Sequence, residues 1–484
     1  MSSSPQTFSK PGQRPVVDAL QAALGPGLLI DGASVDAVRY LHDWSGDYQG
    51  SAIAVLRPST VEEVQTTVRI CADYRTAIIP QGGNTGLVSG AISAHGSDAV
   101  VLSTERLNRI RAIDPVNFTM RADAGAVLQT MKDAAEAQGL LFPLALGAQG
   151  SCQIGGNVAT NAGGINVLRY GMTRDLVLGL EAVLPDGSLW QGMSGLRKDN
   201  RGYDLKQLLI GSEGTLGVIT GVEVKLFPRP FHVETAYLGM RSFDDAMRLF
   251  GMARAICSDL LTAFEVIGSE CIEMARLGNP ETRVPLESAW PVHIILELGC
   301  SAAVDGRALI ETLLADAMEQ ELLGDGVLAQ SRGQARSFWA IREDLVEGQA
   351  KYGRHIRTDL SVRLSDVARM IDLCRAAIVA DWPGWTPIAY GHAGDGNIHF
   401  NVLPPSEMAS GEIFVAGRDV LAQLYEIVRG LGGSFSAEHG VGRSRSDVYW
   451  EWLEPEARQL MQAIKAAFDP LGIMNPGGLL PPNR

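Results

Sequence analysis

Glycine falls in three dense clusters within the first half of this chain, and that clustering most narrows what the half can fold into. The first is Gln81-Gly82-Gly83-Asn84-Thr85-Gly86. The second runs from Gly147 through Gly150-Ser151-Cys152-Gln153-Ile154-Gly155-Gly156-Asn157 to Ala162-Gly163-Gly164. The third is Gly211-Ser212-Glu213-Gly214-Thr215-Leu216-Gly217. With 54 glycines in 484 residues, glycine is about 11% of the chain against a usual 7% or so. Glycine lets backbone N–H groups turn inward and approach an anion closely. Ser, Thr and Asn add short hydrogen-bonding side chains. Two such loops side by side can hold a diphosphate without Lys or Arg. Any one loop reads equally well as a tight turn, but three in one strand–helix domain read as a ligand cradle. No GxGxxG follows an expected strand and no GxxxxGK[ST] occurs, so neither the dinucleotide fingerprint nor the P-loop is present, and NAD is not expected.

The length implies roughly two to four domains. Strands and helices alternate at first. Ala52–Leu56 reads as a strand stopped by Arg57-Pro58-Ser59. Thr60 and Glu63 form a capping box for a helix with Val61, Val64, Val68 and Cys71 at helical spacing. Ala77–Ile79 reads as a strand leading into the first glycine loop. Phe118–Ala122 is a strand, and Ala126–Gln138 a helix ended by Gly139. Phe227-Pro228-Arg229-Pro230 marks a boundary, since paired prolines suit a linker. Beyond it, strands at 234–238, 263–267 and 293–298 alternate with helices at 243–255, 303–319, 365–380 and 413–431. This second region reads as α+β with a mainly antiparallel sheet. A last helix spans 455–468, stopped by Asp469-Pro470, and Asn475-Pro476-Gly477-Gly478 makes a turn.

Lys plus Arg number 41 against 55 Asp plus Glu, a formal charge of −14, which excludes a general nucleic-acid or anionic-membrane binder. No run reaches the roughly 18 apolar residues of a membrane span. Residues 1–13 are polar and lack the apolar core of a secretory signal. The six Cys (71, 152, 257, 271, 300, 374) are scattered with no CxxC, which excludes a Cys-type zinc or iron–sulfur signature and fits a reducing cytoplasm.

The glycine loops carry a resemblance. Pro80-Gln81-Gly82-Gly83-Asn84-Thr85-Gly86-Leu87 resembles the first pyrophosphate loop of the vanillyl-alcohol-oxidase-type FAD flavoproteins, and Ser151 to Gly164 resembles the second. Tyr203-Asp204-Leu205 and the 211–217 cluster also match that family's pattern. The resemblance covers nearly the whole chain. It implies an α+β architecture: a two-lobed FAD-binding domain (1–228), a substrate-binding cap domain with a mainly antiparallel sheet flanked by helices (229–440), and a C-terminal segment (441–484) returning to the FAD domain, where Asn475-Pro476-Gly477 matches the tail motif. It implies FAD contacts at Gly82, Gly83, Asn84, Thr85, Gly86, Leu87, Ser151, Gly155, Gly156, Asn157, Asn161, Gly164, Glu213, Gly217, Ile219 and Asn475. Some members attach FAD through His or Cys. Cys152 does not align with the usual linking position and reads as a buried structural thiol, so noncovalent FAD is expected.

Of 8 histidines, three sit in two C-terminal motifs, Gly391-His392-Ala393-Gly394-Asp395-Gly396-Asn397-Ile398-His399-Phe400-Asn401 and Ser436-Ala437-Glu438-His439-Gly440-Val441-Gly442. If 397–402 is a strand, His399 and Asn401 share one face, and the glycine-rich turn brings His392 back beside His399. Two imidazoles and a carboxylate are the donors of a zinc-like site that keeps a position open for substrate. Both motifs resemble those of the metal-dependent D-2-hydroxy-acid dehydrogenase branch, which acts on D-2-hydroxyglutarate, D-lactate and similar acids. The resemblance implies His392, His399 and Glu438 as ligands to zinc or a similar divalent metal, and His439 as catalytic base. Asp395 is the runner-up ligand, with a turn-capping carboxylate the better reading.

Trp339-Ala340-Ile341-Arg342-Glu343 resembles the family's carboxylate-binding arginine segment. Arg357-Thr358-Asp359-Leu360-Ser361-Val362 resembles a strand that often carries a substrate-binding Lys, here Arg357. The branch reading D-2-hydroxyglutarate often has Thr four residues after the arginine, where Val346 stands, and a Pro where Arg363 stands. Two cations, Arg342 and Arg357, fit a dicarboxylate better than lactate, and Asn401 is a further candidate for a substrate carboxylate. The expected activity is therefore FAD-linked oxidation of a D-2-hydroxy acid, D-2-hydroxyglutarate first, with D-lactate or another D-2-hydroxy acid as alternatives. Other classes are a flavin-free metal-dependent hydrolase and a flavin-binding module without catalysis. A separate electron acceptor (electron-transfer flavoprotein, quinone or cytochrome) and a homodimer are what the family suggests.

Overall fold

The computed structural model describes residues 14–481 other than 45 and 47, so the polar N-terminal stretch read above lies outside the described residues. The chain divides into two compact units. One contains the described residues up to Ala162, Met172–Arg229 and the chain from Glu438 on; the other contains Gly163–Gly171 and Pro230–Ala437. Among the described residues no helix is long and apolar enough to cross a membrane.

In the first unit, the helix Val61–Asp73 buries Val64, Thr67, Val68 and Cys71 on one face. The expected capping box forms: Thr60 Oγ1 accepts from Glu63 N–H at 3.2 Å, and the Glu63 carboxylate accepts from Thr60 N–H at 3.3 Å. That face shares a core with Leu56, Ile78, Val100 and Leu102 of a four-stranded sheet. The sheet order is Leu29–Asp31, Ala54–Leu56, Val100–Ser103, Ile78–Gln81. Val100–Ser103 pairs in parallel with both neighbours, while Leu29–Asp31 is antiparallel. A second, antiparallel sheet orders Ile110–Asp114, Thr119–Asp123, Val218–Lys225, Val177–Val183 and Leu189–Gln191. Val177–Val183 is buried throughout, so it shows no apolar–polar alternation to mark it as a strand. The helix Pro455–Phe468 ends at Asp469 as the sequence implies. The chain then joins the first sheet, with Ile78 N–H donating to Ile473 O at 2.7 Å and Asn475 N–H to Ile78 O at 2.8 Å.

The second unit holds a seven-stranded sheet ordered Leu323–Leu328, His232–Met240, Val292–Cys300, Leu261–Gly268, Thr386–Gly391, Asn397–Leu403, Leu360–Ser361. Every pairing is antiparallel. Leu261–Gly268 is buried along its whole length because both faces are covered. Phe264 meets Phe250 of the helix Phe243–Cys257 with ring centroids 5.1 Å apart. On the opposite face, Ile267, Tyr237 and Tyr390 share a core with Cys271 of the helix Glu270–Gly278 and Phe338, Ile341 and Leu345 of the helix Arg332–Tyr352. These two helices touch backbone to backbone: a Cβ on Gly348 would lie 1.7 Å from Met274 O, and one on Gly278 would lie 2.0 Å from Asp344 O. The helix 303–319 starts later than the sequence suggests, at Gly306, because the Asp305 side chain caps it, accepting from Ala308 N–H at 3.0 Å.

Two substitutions test this account by denaturant unfolding. Thr60→Ala removes one cap and should lower stability by about 1 kcal/mol. Gly348→Ala forces two helix backbones apart and should lower it by about 1–3 kcal/mol or more. A neutral Gly348→Ala would show that the helix crossing is not as close as described.

Candidate active site

The strand Ile78–Gln81 delivers the first glycine loop to the edge of a groove of about 470 Å³ in the first unit. Gly82, Gly83 and Asn84 line it from the first loop and Ser151 and Gln153 from the second. The two loops are in backbone contact: a Cβ on Gly83 would lie 2.3 Å from Ser151 O and 3.0 Å from Cys152 Cα. Asn84 holds a left-handed conformation (φ 53°), which its short amide tolerates, and its Nδ2 donates to His42 O at 2.8 Å. The loop floor is anchored from below, with Gln81 Nε2 donating to Tyr40 O at 2.9 Å and Thr104 Oγ1 to Gln153 Oε1 at 2.8 Å. In the second loop, Asn157 Oδ1 is buried with no partner among the described residues. Glycine backbone on one wall, Ser151 and Gln153 on the other, and an orphaned acceptor in the second loop suit a flavin nucleotide, with its diphosphate, hydroxyls and imide N–H. The Cys152 thiol beside them is buried, and that burial pushes its pKa up, against the reactive character a linking cysteine needs.

The remaining expected FAD contacts divide by what holds them. Gly155 packs on Ala124, where a Cβ would lie 2.7 Å from Ala124 Cβ, and Gly217 packs on the backbone of Val183. Asn161 (φ 50°) accepts from Arg174 N–H at 2.8 Å. Ile219 lies in the sheet opposite Ala182. Thr85, Gly86 and Leu87 continue the first loop past Asn84, Gly156 is open on its Cβ side, and Gly164 belongs to the second unit. Glu213 has a partner the sequence did not suggest. Its carboxylate accepts from Val441 N–H at 2.8 Å and Gly442 N–H at 2.7 Å. Burial pushes its pKa up, and those two N–H groups oppose the rise. Asn475 Nδ2 donates to Glu213 O and Gly90 O at 2.8 and 2.9 Å. Glu213 and Asn475 thus fasten the segment that follows Glu438 and His439, whose side chains stand 3.7 Å apart.

In the second unit the Gly391–Gly396 turn joins the strands Thr386–Gly391 and Asn397–Leu403 and brings the expected histidines together. The His392 and His399 rings lie 5.8 Å apart at an interplanar angle of 78°. Asp395 accepts from Asn397 N–H at 3.2 Å, the turn-capping role preferred for it. Two carboxylates that sequence reasoning missed stand beside the pair. Asp359 is fully buried, accepts from Asn397 Nδ2 at 3.1 Å, and reaches within 4.8 Å of the His399 ring nitrogen. Glu265, also buried, accepts from His392 Nδ1 through Oε1 and from Arg342 Nε, at 3.2 Å, through Oε2. Burial opposes its charge, but His392 and Arg342 outweigh that and hold its carboxyl below the usual range. A carboxylate only accepts, so Nδ1 of His392 carries a proton and Nε2 is the ring's lone-pair nitrogen in the neutral form. That is the arrangement of an imidazole whose tautomer is set by an acid, with Nε2 as the nitrogen able to act as a ligand.

Arg342 is only 11% exposed, with its guanidinium 4.5 Å from the Tyr390 ring centroid. Arg357 is exposed, with Nε 3.4 Å from His355 Nε2. Asn401 is buried. Its Oδ1 accepts from Thr358 N–H at 2.9 Å, and its Nδ2 donates to Gln349 Oε1 at 2.6 Å and Tyr390 Oη at 3.3 Å. These contacts join strand and helix within the unit.

Comparison with known proteins bears on the same residues. An FAD binding domain matches residues 52–192, and the C-terminal domain of FAD linked oxidases matches 229–479. The flavin-free hydrolase reading is thereby left without support. The D-2-hydroxyglutarate dehydrogenase of Bos taurus mitochondria is 40% identical over 91% of this chain and 79% of that protein. A D-2-hydroxyglutarate dehydrogenase of Xanthomonas citri pv. viticola is 36% identical over 96% of this chain and 97% of that protein. The structure of p-cresol methylhydroxylase superposes with a TM-score of 0.76 at 16% identity, covering 98% of both chains, and shares the fold. With both lobes of the match in place, the chain belongs to the FAD-linked oxidases of the vanillyl-alcohol-oxidase type, in their D-2-hydroxy-acid dehydrogenase branch, and oxidises the CH–OH group of a D-2-hydroxy acid.

Proposed function

We propose that the substrate is D-2-hydroxyglutarate, oxidised to its 2-oxo acid, with a divalent metal such as zinc held by His392, His399 and Glu438. Two observations support this reading. Relatives aligned over nearly the whole chain carry that substrate in their names. The unit that holds the histidine pair also holds Arg342 and Arg357, two cations for two carboxylates. Val346, where Thr is usual, is an exposed helix position. Arg363, where Pro is usual, pairs with Asp366 at 3.0 Å on the surface.

In this mechanism the arginines bind and orient the acid. His439 accepts the hydroxyl proton, since an imidazole is suited to proton transfer near neutral pH. The α-hydrogen departs with its electron pair, and the carbon becomes the carbonyl of the 2-oxo acid. Bound FAD supplies the hydride acceptor, held noncovalently by the two glycine loops. A divalent ion bound by His392, His399 and Glu438 would supply Lewis acidity toward the substrate hydroxyl. Asn401 serves as a positioning residue for Tyr390 and Gln349. A separate electron acceptor of the electron-transfer flavoprotein, quinone or cytochrome class reoxidises the enzyme. Six buried, unpaired cysteines suit a reducing compartment such as the cytoplasm.

An anaerobic visible titration of the purified protein should show the flavin band bleached by D-2-hydroxyglutarate and far less readily by D-lactate or either L-enantiomer; preferential bleaching by D-lactate would overturn the substrate assignment. His439→Ala should keep flavin and metal but slow that bleaching by at least about 100-fold. Full reductive activity in the variant would remove His439 from the mechanism. Gly83→Ala places a methyl group against the Ser151 carbonyl and should lower the flavin-to-protein ratio of purified protein; an unchanged ratio would separate the loop contact from flavin binding.

A further inference from the structure

We infer that Glu265 is a positioning residue that sets the metal-binding nitrogen of His392 and the substrate-binding guanidinium of Arg342 together, so that one carboxylate couples metal affinity to recognition of the acid. The inference rests on the metal and arginine roles proposed above. Glu265 lies in the strand Leu261–Gly268 at a position with no solvent contact to speak of, its side chain 1% exposed. Isolating a carboxylate there is costly unless donors meet both oxygens. Each oxygen has one: His392 Nδ1 on Oε1 and Arg342 Nε on Oε2. Neither donor comes from a neighbouring residue. His392 follows the strand Thr386–Gly391, and Arg342 lies on the helix Arg332–Tyr352. Tyr390, two residues before His392, closes the arrangement from the other side of the guanidinium, its ring centroid 4.5 Å from Arg342 Cζ and 5.2 Å from the His399 ring.

A purely structural ion pair would need only Arg342. Engaging Nδ1 of a histidine instead fixes which nitrogen carries the proton and therefore which is available to a metal. Arg342 is bound side-on through Nε, which leaves the guanidinium's other edge for a bidentate carboxylate. Glu265→Gln preserves the shape but not this logic. An amide offers one acceptor and one donor, so one of the two facing donors must meet an NH2 group. Either Arg342 loses its anchor, or His392 accepts from the amide and moves its proton to Nε2, where it blocks the metal.

The test uses the flavin-loaded full chain. Zinc affinity is measured by competition with a chromophoric chelator, and steady-state kinetics are run with D-2-hydroxyglutarate. Glu265→Gln should weaken zinc about 10–100-fold and raise KM, with flavin content and near-UV circular dichroism retained. Zinc affinity and KM both equal to wild type would overturn the inference, even with a lowered Tm, since that pattern is the one an ion pair of structural importance alone produces. Absence of zinc binding by the wild type would overturn the metal reading itself, and this inference with it. Should Glu265→Gln not fold, Glu265→Asp keeps the charge and withdraws the oxygens by one methylene. It should still weaken zinc about 10-fold or more, and an unchanged affinity there overturns the inference equally.

Discussion

A buried carboxylate is stable only when donors surround it, and this chain repeatedly uses that demand to tie distant segments to one point. Glu213 holds the backbone of Val441 and Gly442. Asp469 caps the turn after the last helix, accepting from Lys465 Nζ at 2.5 Å and from Ile473 and Met474 N–H at 3.1 and 2.8 Å. Glu265 gathers His392 and Arg342. In each case the residue and its partners lie in the same unit; Glu213 and Glu265 join distant segments, while Asp469 closes a local turn. The glycine loops bring backbone against backbone, and the buried acids fix segments to one another within each unit.

The demand explains why legibility was uneven. Features written over a few residues were readable. The Thr60–Glu63 capping box, the helix Pro455–Phe468 and the Gly391–Gly396 turn that pairs His392 with His399 depend on spacing within one segment, and spacing is visible in a sequence. The glycine clusters marked where backbone must approach backbone, and the Gly83–Ser151 contact is that approach. What stayed hidden depends on partners far away in the chain. Glu265 is 127 residues from His392 and 77 from Arg342, and Glu213 is 228 from Val441. As sequence, Glu265 is one glutamate among apolar neighbours, and Glu213 stands in a glycine cluster that carries no sign of Val441. Asp359 was passed over beside Arg357 for the same reason: its nearness to His399 is created by pairing of the strands Leu360–Ser361 and Asn397–Leu403. The helix Glu270–Gly278 was missed because it is short and its identity is set by close packing at Gly278 and Gly348.

The same view bears on what selects the substrate. The two departures from the family pattern, Val346 and Arg363, lie at positions exposed within their unit, the first on the helix that carries Arg342 and the second in a surface ion pair. Neither touches Glu265, His392 or Tyr390 in any hydrogen bond among the described residues. The same unit buries a chain of polar contacts: Glu265 to Arg342, Arg342 over Tyr390, Gln349 Nε2 to Tyr390 Oη at 2.9 Å, and Asn401 to Gln349. A layer whose members each satisfy the next resists piecemeal change, because removing one leaves a buried group unpaired at a cost of about 1–3 kcal/mol. Reaction chemistry that depends on such a layer tolerates substitution at its rim more readily than within it. The departures at 346 and 363 lie outside this chain of contacts and leave it intact.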